Sequence, residues 1–577
     1  MSRTWSHPNF FQAELIIEEL MRRGAQIFFV APGSRSSPLA VAISRVAGEK
    51  EIVHFDERGL AFAAIGYVRA TRSPSVLVCT SGTAVANFLP AVVEASMSAI
   101  PLVILTADRP PELRDRGANQ TISQRGIFGD FVRWEAELEA PSTELQPSAI
   151  IRVVATAIQC ATSSPSGPVH INCPYREPLA PTDKKYSFPE YLEAVNTVVI
   201  DTPALGLSEV SISEIKWLKE RMHSVKSGLL VVGRLDSAGD SSAVAEFASA
   251  TGWPVFADVT SQLRLNERCT TLCEHLDLLL LNDKVANAIA PEMVVHIGGE
   301  FVSKRLLEHF ERYRPAEYVH ISNDPRRRDP AGCVTRQIAM DLSSLPRSLE
   351  LTEQAHYGAL QFAQLNLKVS KQIASHFDNE QNLTEIGVAR AIVAKAPAHS
   401  ALFLASSLSI RLVDMYAPVV DRSILVGANR GASGIDGTIA SAIGFARGCQ
   451  RPTTLLIGDL AFLHDLNSLA MVREAGAPIV IVLINNNGGG IFHMLPIAEH
   501  NSQFEKFWGT PHGLNFGDIT ATFGLNYSRP ENMTAFHSAF ASAHASSGPT
   551  LIEVCTSREE TAELIRHLQS EIRSLLD

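Results

Sequence analysis

The stretch TTLLIGDLAFLHDLNSLAMVREAGAPIVIVLINNNGGGIF, residues 453–492, limits the possible folds more than any other. It reads as strand, helix, strand. TTLLIGD is a short apolar run ending at Asp459, and PIVIVLI is a second such run. Between them, residues 461–475 read as a helix of about four turns, roughly 22 Å at 1.5 Å per residue. A strand of about seven residues covers roughly 23 Å. The helix therefore returns the chain by one strand length. The two strands run parallel, and Asp459 and Asn486 meet at their carboxyl edge, where open α/β sheets bind ligands.

The same alternation of short apolar runs with helical periodicity fills the chain and predicts an α/β protein of three doubly wound domains with mostly parallel sheets. Residues 1–190 carry the candidate strands AQIFFVAP, EIVHF, SVLVCTS, PLVILTA and GPVHINC, with REPLAPTDKKYSFPEY as the exit linker. Residues 200–345 carry SGLLVVGRL, WPVFADV, MVVHIGG and AEYVHIS. Residues 375–577 carry SALFLAS, SILVGA, TTLLIGD, PIVIVLINN and PTLIEVC, and 346–375 reads as a helical connection. A length of 577 residues agrees with roughly three or four domains.

Charge and composition exclude several function classes. Fifty basic residues against 61 acidic ones leave a net charge of −11, which disfavours nonspecific binding to nucleic acid or anionic membranes. No apolar run approaches the roughly 20 residues of a membrane span, and MSRTWSHPNFFQAELI lacks a signal-peptide core, so a cytoplasmic location is expected. The eight cysteines form no disulfide framework; Cys269 and Cys273 near His275 make at most half a zinc site and read as incidental thiols. Gly228–Gly233 has the spacing of a phosphate loop, but Arg234 stands where the lysine belongs, and there is no G-x-G-x-x-G.

Two places carry candidate chemistry. Asp459, Asn486 and the Gly488–Gly490 turn offer oxygen donors and a backbone free of Cβ atoms, a combination suited to Mg²⁺ and a diphosphate. In EIVHFDERGLAFAAIGYVRAT, residues 51–71, a strand ends in two carboxylates, Asp56 and Glu57, where one helix cap would suffice.

The 453–492 unit resembles the signature of the thiamin-diphosphate enzymes, with Leu460 where many members carry Gly. APGSRSSPLA (31–40), HFDERGLAFAAIGYVRAT (54–71), CTSGTAVANFLPAV (79–92), LTADRPPELRDRGANQTISQ (105–124), GEFVSKR (299–305), SSLSIRLVD (406–414) and ANRGASGIDG (428–437) resemble one branch, the carboligases of menaquinone biosynthesis. That resemblance implies a pyrimidine-binding, a central and a diphosphate-binding domain. It implies thiamin diphosphate with Mg²⁺, Mn²⁺ serving as an alternative, and a homodimer or homotetramer with active sites between chains. It makes Asp459, Asn486 and the Gly488 carbonyl the metal ligands, with Gly489 beside the diphosphate. Ile435 becomes the apolar residue that bends the cofactor, and Glu57 the partner of pyrimidine N1′. Small residues at 59, 63, 66 and 70 would then pack the Glu57 helix into the interface between chains.

The resemblance further implies decarboxylation of 2-oxoglutarate and 1,4-addition of the remaining unit to isochorismate. Two dicarboxylates call for cations, and Arg binds carboxylates bidentately. Ser407 and Arg411 match the 2-oxoglutarate side; Ser34, Arg35, Arg109, Asn119, Gln120, Lys304, Arg305 and Arg430 are the remaining polar candidates, and Ile491 and Phe492 the walls. Arg326-Arg327-Arg328 reads as a solvated loop without a role. Two rivals stay open at this point. A related acetolactate synthase or 2-oxoacid decarboxylase would need fewer cations, and a noncatalytic nucleotide-binding scaffold would need no Glu57.

Overall fold

The structure is a computed structural model that describes residues 3–188, 191, 195, 211–266, 269, 271–345, 357–499 and 501–577. Three sheets are present among them. The first holds β1 (Phe28–Val30), β2 (Glu51–Val53), β3 (Ser75–Cys79), β4 (Leu102–Asp108), β5 (Glu135–Glu137) and β6 (Pro168–Pro174). The second holds β7 (Gly228–Val232), β8 (Val255–Ala257), β9 (Met293–Ile297), β10 (Glu317–Ser322) and β11 (Arg336–Ala339). The third holds β12 (Ala401–Leu404), β13 (Leu425–Gly427), β14 (Thr453–Gly458), β15 (Ile479–Asn485), β16 (Asn526–Ser528) and β17 (Thr550–Cys555).

Every strand pair within these sheets is parallel. The first sheet is ordered β2-β1-β3-β4-β6-β5 and the third β13-β12-β14-β15-β17-β16. Counted from its own first strand, each has the same winding. The interior strands β3, β4 and β6 are buried throughout, which is why they read as unbroken apolar runs. A Cβ on Gly233 would run into Gly299 O, so this glycine serves close backbone packing rather than a phosphate loop.

By compactness the described chain divides into two units. One comprises Met1–Gly206, Asn429–Gln450 and Asp465–Gly476, the other Leu207–Ala428, Arg451–His464 and Ala477–Asp577. In the first unit, the helix Glu57–Thr71 packs along the helix Thr438–Cys449. A Cβ on Gly66 would strike Ser441 O, and one on Gly444 would strike Ala63 O. A Cβ on Gly448 would come within 2.7 Å of Ala70 Cβ, and one on Gly59 within 2.5 Å of Ser468 Oγ. The small residues expected at a boundary between chains are therefore used inside one chain. They let two helix backbones approach closely.

The segment read as one helix, 461–475, is an α-helix Asp459–His464 followed by 3₁₀ turns Leu466–Ala475. Asp465 interrupts it. Its buried carboxylate accepts from Ala440 N at 2.9 Å, in the first turn of Thr438–Cys449, and from Ser468 Oγ at 2.7 Å. Burial pushes its pKa up to about 6. An unfolded Asp titrates near ~3.9, so the folded chain holds a proton there that the unfolded chain releases, and stability falls as pH rises through that interval. Asp465→Asn keeps an acceptor for Ala440 and can donate to Ser468. The variant is expected to be more stable than the parent at pH 7.5 by on the order of 2–3 kcal/mol, hence to unfold at a higher temperature, and to lose that advantage near pH 4. Thermal unfolding at the two pH values checks this; equal differences at both would refute it.

Candidate active site

In the second unit, β14 and β15 pair with Gly458 opposite Ile484, so both chains leave the sheet at the same edge. Asp459, buried at the start of its helix, accepts from Leu460 N through Oδ1 at 2.6 Å and from Gly488 N through Oδ2 at 2.9 Å. Asn486 donates its Nδ2 to Glu385 at 2.8 Å, which fixes the amide and leaves its buried Oδ1 without a hydrogen-bond partner. Gly488 has φ +135°, and a Cβ there would run into Gly509 O. A Cβ on Gly489 would run into Trp508 O. The structure thus brings Asp459, Asn486 and Gly488 together. A buried anionic oxygen beside an orphaned amide oxygen suits a hard cation such as Mg²⁺.

Glu385 had no signal in the sequence: it lies some hundred residues upstream, after the helix cap Thr384, where a glutamate is ordinary. In the fold its Oε1 also accepts from Thr556 and Thr561, each at 3.2 Å. Burial raises its pKa, while these bonds and that from Asn486 act to lower it.

In the first unit, the loops after β1, β2, β3 and β4 share the carboxyl edge of the first sheet. Asp56 is the helix cap, accepting from Arg58 N at 3.0 Å and Gly59 N at 3.4 Å. Glu57 is thereby spared that task. It is half-buried, and its Oε2 accepts from Asn87 Nδ2 at 3.0 Å. Buried Arg35 donates to Tyr175 O at 2.9 Å and pairs with Glu177 at 3.2 Å, while its Nε has no hydrogen-bond partner.

Arg109 also has a buried, unpartnered Nε, and its backbone N–H donates to Asp108 Oδ1 at 2.7 Å. Asp108 in turn accepts from Asn172 Nδ2 at 2.8 Å, and Asn172 Oδ1 accepts from Gln124 Nε2 at 2.9 Å. Gln124 Oε1 then takes Gly82 N at 3.0 Å. Sequence reasoning missed this buried network, because its members are ordinary polar residues until the strands align. Ser34 and Asn119 are exposed. Gln120, at φ +55°, donates to Ser81 O at 2.9 Å.

Arg430 and Ile435 stand on a loop held by Glu94. That buried carboxylate accepts from Arg69 at 2.7 Å, Gly431 N at 2.9 Å and Ala432 N at 2.7 Å. The Arg430 Nε is buried and unpartnered, and Ile435 is 37% exposed, a large apolar side chain left projecting.

Back in the second unit, a cavity of about 290 Å³ gathers Lys304, Arg305 and Arg411 with Asp277, Glu308 and Asp414. Arg305 pairs with Asp277, and Lys304 with Glu308 at 3.0 Å. Arg411 donates to Ser407 O at 2.6 Å, and Ser407 itself has φ +71°. Burial and the neighbouring Asp258 carboxylate raise the pKa of Asp414. Ile491 and Phe492 lie half-buried on the 3₁₀ turns Gly490–Met494, whose last residue lines the same cavity.

Two minor expectations meet particular outcomes. The arginine run is ion-paired rather than freely solvated: Arg326 pairs with Asp324 at 2.7 Å, Arg327 with Asp329 at 2.9 Å, and Arg328 with Glu300 at 2.6 Å. Cys269, Cys273 and His275 form no metal-binding group among the described residues; His275 bonds Met415 O at 2.9 Å.

Comparison with known proteins places the chain in a class. Residues 12–127 match the thiamine pyrophosphate enzyme N-terminal TPP binding domain, 208–404 the middle domain of thiamine pyrophosphate enzymes, and 413–554 the C-terminal TPP binding domain. These matches define the class as a three-domain thiamine pyrophosphate enzyme. The 2-succinyl-5-enolpyruvyl-6-hydroxy-3-cyclohexene-1-carboxylate synthase of Rubrobacter xylanophilus is 43% identical over 97% of this chain and 98% of its own. That of Salinibacter ruber is 40% identical over 100% and 99%. The chain belongs to this synthase family. At the level of fold, the thiamine diphosphate-dependent 4-hydroxybenzoylformate decarboxylase of Rhodococcus jostii RHA1 superposes with TM-score 0.72 at 17% identity, covering 95% of this chain and 99% of that one. The benzoylformate decarboxylase of Polynucleobacter necessarius gives 0.71 at 16%, with the same coverage. Among the described residues no helix is long and apolar enough to cross a membrane.

Proposed function

We propose that the chain decarboxylates 2-oxoglutarate and adds the remaining four-carbon unit to isochorismate, forming 2-succinyl-5-enolpyruvyl-6-hydroxy-3-cyclohexene-1-carboxylate and CO₂ on the way to menaquinone. The carrying observation is the buried pair of Asp459 with the orphaned Asn486 Oδ1, in a chain whose full-length relatives bear that synthase name. In the reaction the C1–C2 bond of 2-oxoglutarate breaks and CO₂ leaves. The electron pair forms the new carbon–carbon bond to the conjugated system of isochorismate, which takes up a proton. Thiamin diphosphate, when bound, supplies the electron sink for that pair.

The protein's part is holding and orienting. Asp459, Asn486 and the Gly488 carbonyl hold Mg²⁺ or Mn²⁺, and Gly489 gives the diphosphate room. Ile435 would support the cofactor, and Glu57 would hold a proton at pyrimidine N1′. Ser407 and Arg411 take the distal carboxylate of 2-oxoglutarate. Arg35 and Arg109, with Lys304 or Arg305, meet the carboxylates of isochorismate, and Arg430 is a further substrate-binding cation; Ser34, Asn119 and Gln120 add neutral hydrogen bonds, and Ile491 and Phe492 wall the site. The domains of this reading are 1–190 for the pyrimidine, 200–345 between, and 375–577 for the diphosphate. They act in a cytoplasmic homodimer or homotetramer whose sites lie between chains.

The test supplies thiamin diphosphate, Mg²⁺, 2-oxoglutarate and isochorismate together. Coupled CO₂ release and loss of isochorismate are expected; consumption of pyruvate in preference to 2-oxoglutarate would overturn the reading. Arg411→Ala is expected to raise the KM for 2-oxoglutarate by about 10–100-fold, the worth of a charge-assisted bond, with little change in cofactor affinity. An unchanged KM would remove Arg411 from the site.

A further inference from the structure

The Asp459 edge carries one more side chain that the motifs do not include. His512 lies in the loop WGTPHGLNF, residues 508–516. Its side chain is 10% exposed, and its Nε2 lies 3.2 Å from Asp459 Oδ2. That nitrogen is buried and has no hydrogen-bond partner, because its N–H is not aligned on the carboxylate. The other ring nitrogen, Nδ1, accepts from Leu514 N at 3.0 Å. An imidazole that accepts at Nδ1 carries its hydrogen on Nε2. The atom facing Asp459 is therefore a donor.

The loop is pinned so that the ring stays there. Asn487 Oδ1 accepts from both His512 N at 3.0 Å and Gly513 N at 2.8 Å. Asn487 itself has φ +61°, which turns its side chain out of the Asn-Asn-Asn-Gly-Gly-Gly run toward the loop. The Phe516 ring meets the imidazole edge-on, with centroids 5.8 Å apart.

We propose that His512 is a positioning residue for the Asp459 carboxylate, an inference that rests on the metal–diphosphate reading of this edge. Oδ2 has room for two donors, and Gly488 N is one. His512 Nε2–H, 3.2 Å away, is the second once the ring turns to align it, and Oδ2 is then saturated. Oδ1, which accepts only Leu460 N, keeps the spare capacity and becomes the oxygen that takes the metal. A donor to the non-ligating oxygen fixes a carboxylate in one orientation, and loss of such an outer partner costs about 10–100-fold in metal affinity.

The probe is Mn²⁺, titrated into the full chain with thiamin diphosphate present and read from the signal of free Mn²⁺ by electron paramagnetic resonance. His512→Ala is expected to weaken Mn²⁺ binding by about 10–100-fold. His512→Gln places an amide N–H close to the old Nε2 position and should bind within about 3-fold of the parent, whereas His512→Asn, whose amide reaches only to Nδ1, should resemble Ala. The two amides fill similar space, so a merely structural role for the ring would not separate them. Parent-like binding by the Ala variant, or equal weakening of the Gln and Asn variants, overturns the role of His512 alone. A parent chain that binds no Mn²⁺ with thiamin diphosphate overturns the reading of the site and the inference with it.

Discussion

Glu57→Gln is expected to lower turnover by about 10²–10⁴-fold while leaving thiamin diphosphate and Mg²⁺ bound. The reason lies in the division of labour between two adjacent carboxylates. Asp56 caps the helix through Arg58 N and Gly59 N, and its Oδ2 also accepts from Asn467 at 3.2 Å. Glu57 makes no capping bond, and its bond from Asn87 Nδ2 can be accepted equally well by an amide oxygen. The substitution therefore spares the fold. On the proposed reading it removes the one thing a carboxyl group offers that an amide does not, a proton shared with pyrimidine N1′. The measurement pairs the rate of CO₂ release with a cofactor titration. Turnover near that of the parent would show that Glu57 is not the N1′ partner.

Asp459→Ala is expected, on the proposed metal–diphosphate reading, to act on cofactor binding itself, and more completely. The carboxylate is the only anionic member of the Asp459–Asn486–Gly488 set, and its removal also leaves Gly488 N without its acceptor. Mg²⁺ draws its affinity from hard anionic oxygens, so Mg²⁺-dependent cofactor binding should fall on the order of 100-fold or more. Parent protein at a cofactor concentration of about 100 Kd gains about 2.7 kcal/mol of stability, and the variant at that concentration should gain almost none. Thermal unfolding with and without Mg²⁺ and thiamin diphosphate reads this directly, and chelating the metal from the parent should reproduce the variant. Equal stabilisation of both proteins would remove Asp459 from the metal site.

What the sequence made legible follows from where each residue stands. Strands buried on both faces must be apolar throughout, so β3, β4, β14 and β15 were readable as runs. β5, β11 and β16 were not. Each is an edge strand of its sheet, only Ile338 among their residues is buried, and their sequences EAE, RQIA and NYS carry no apolar run. The helix read across 461–475 failed at Asp465, whose side chain is recruited to the start of another helix, a tertiary demand that local periodicity does not encode. Site residues directly following a strand, such as Asp459 and Arg109, were legible because parallel sheets bind at that edge. Glu385, Glu94 and His512 were not, because the contacts that single them out are with residues distant in sequence.

The distribution of the chain between its two units has a consequence for synthesis. The first unit is not finished when residue 206 leaves the ribosome. Its Glu57 helix still lacks the glycine-lined face of Thr438–Cys449, and the unit is complete only at Gly476, roughly 270 residues later. At about 5–20 residues per second, that is a wait of roughly 15–50 s with the small-residue face of the Glu57 helix uncovered. The Glu57 helix therefore reaches its native packing only after Leu207–Ala428 of the second unit has been made, later than the domain order of the sequence suggests.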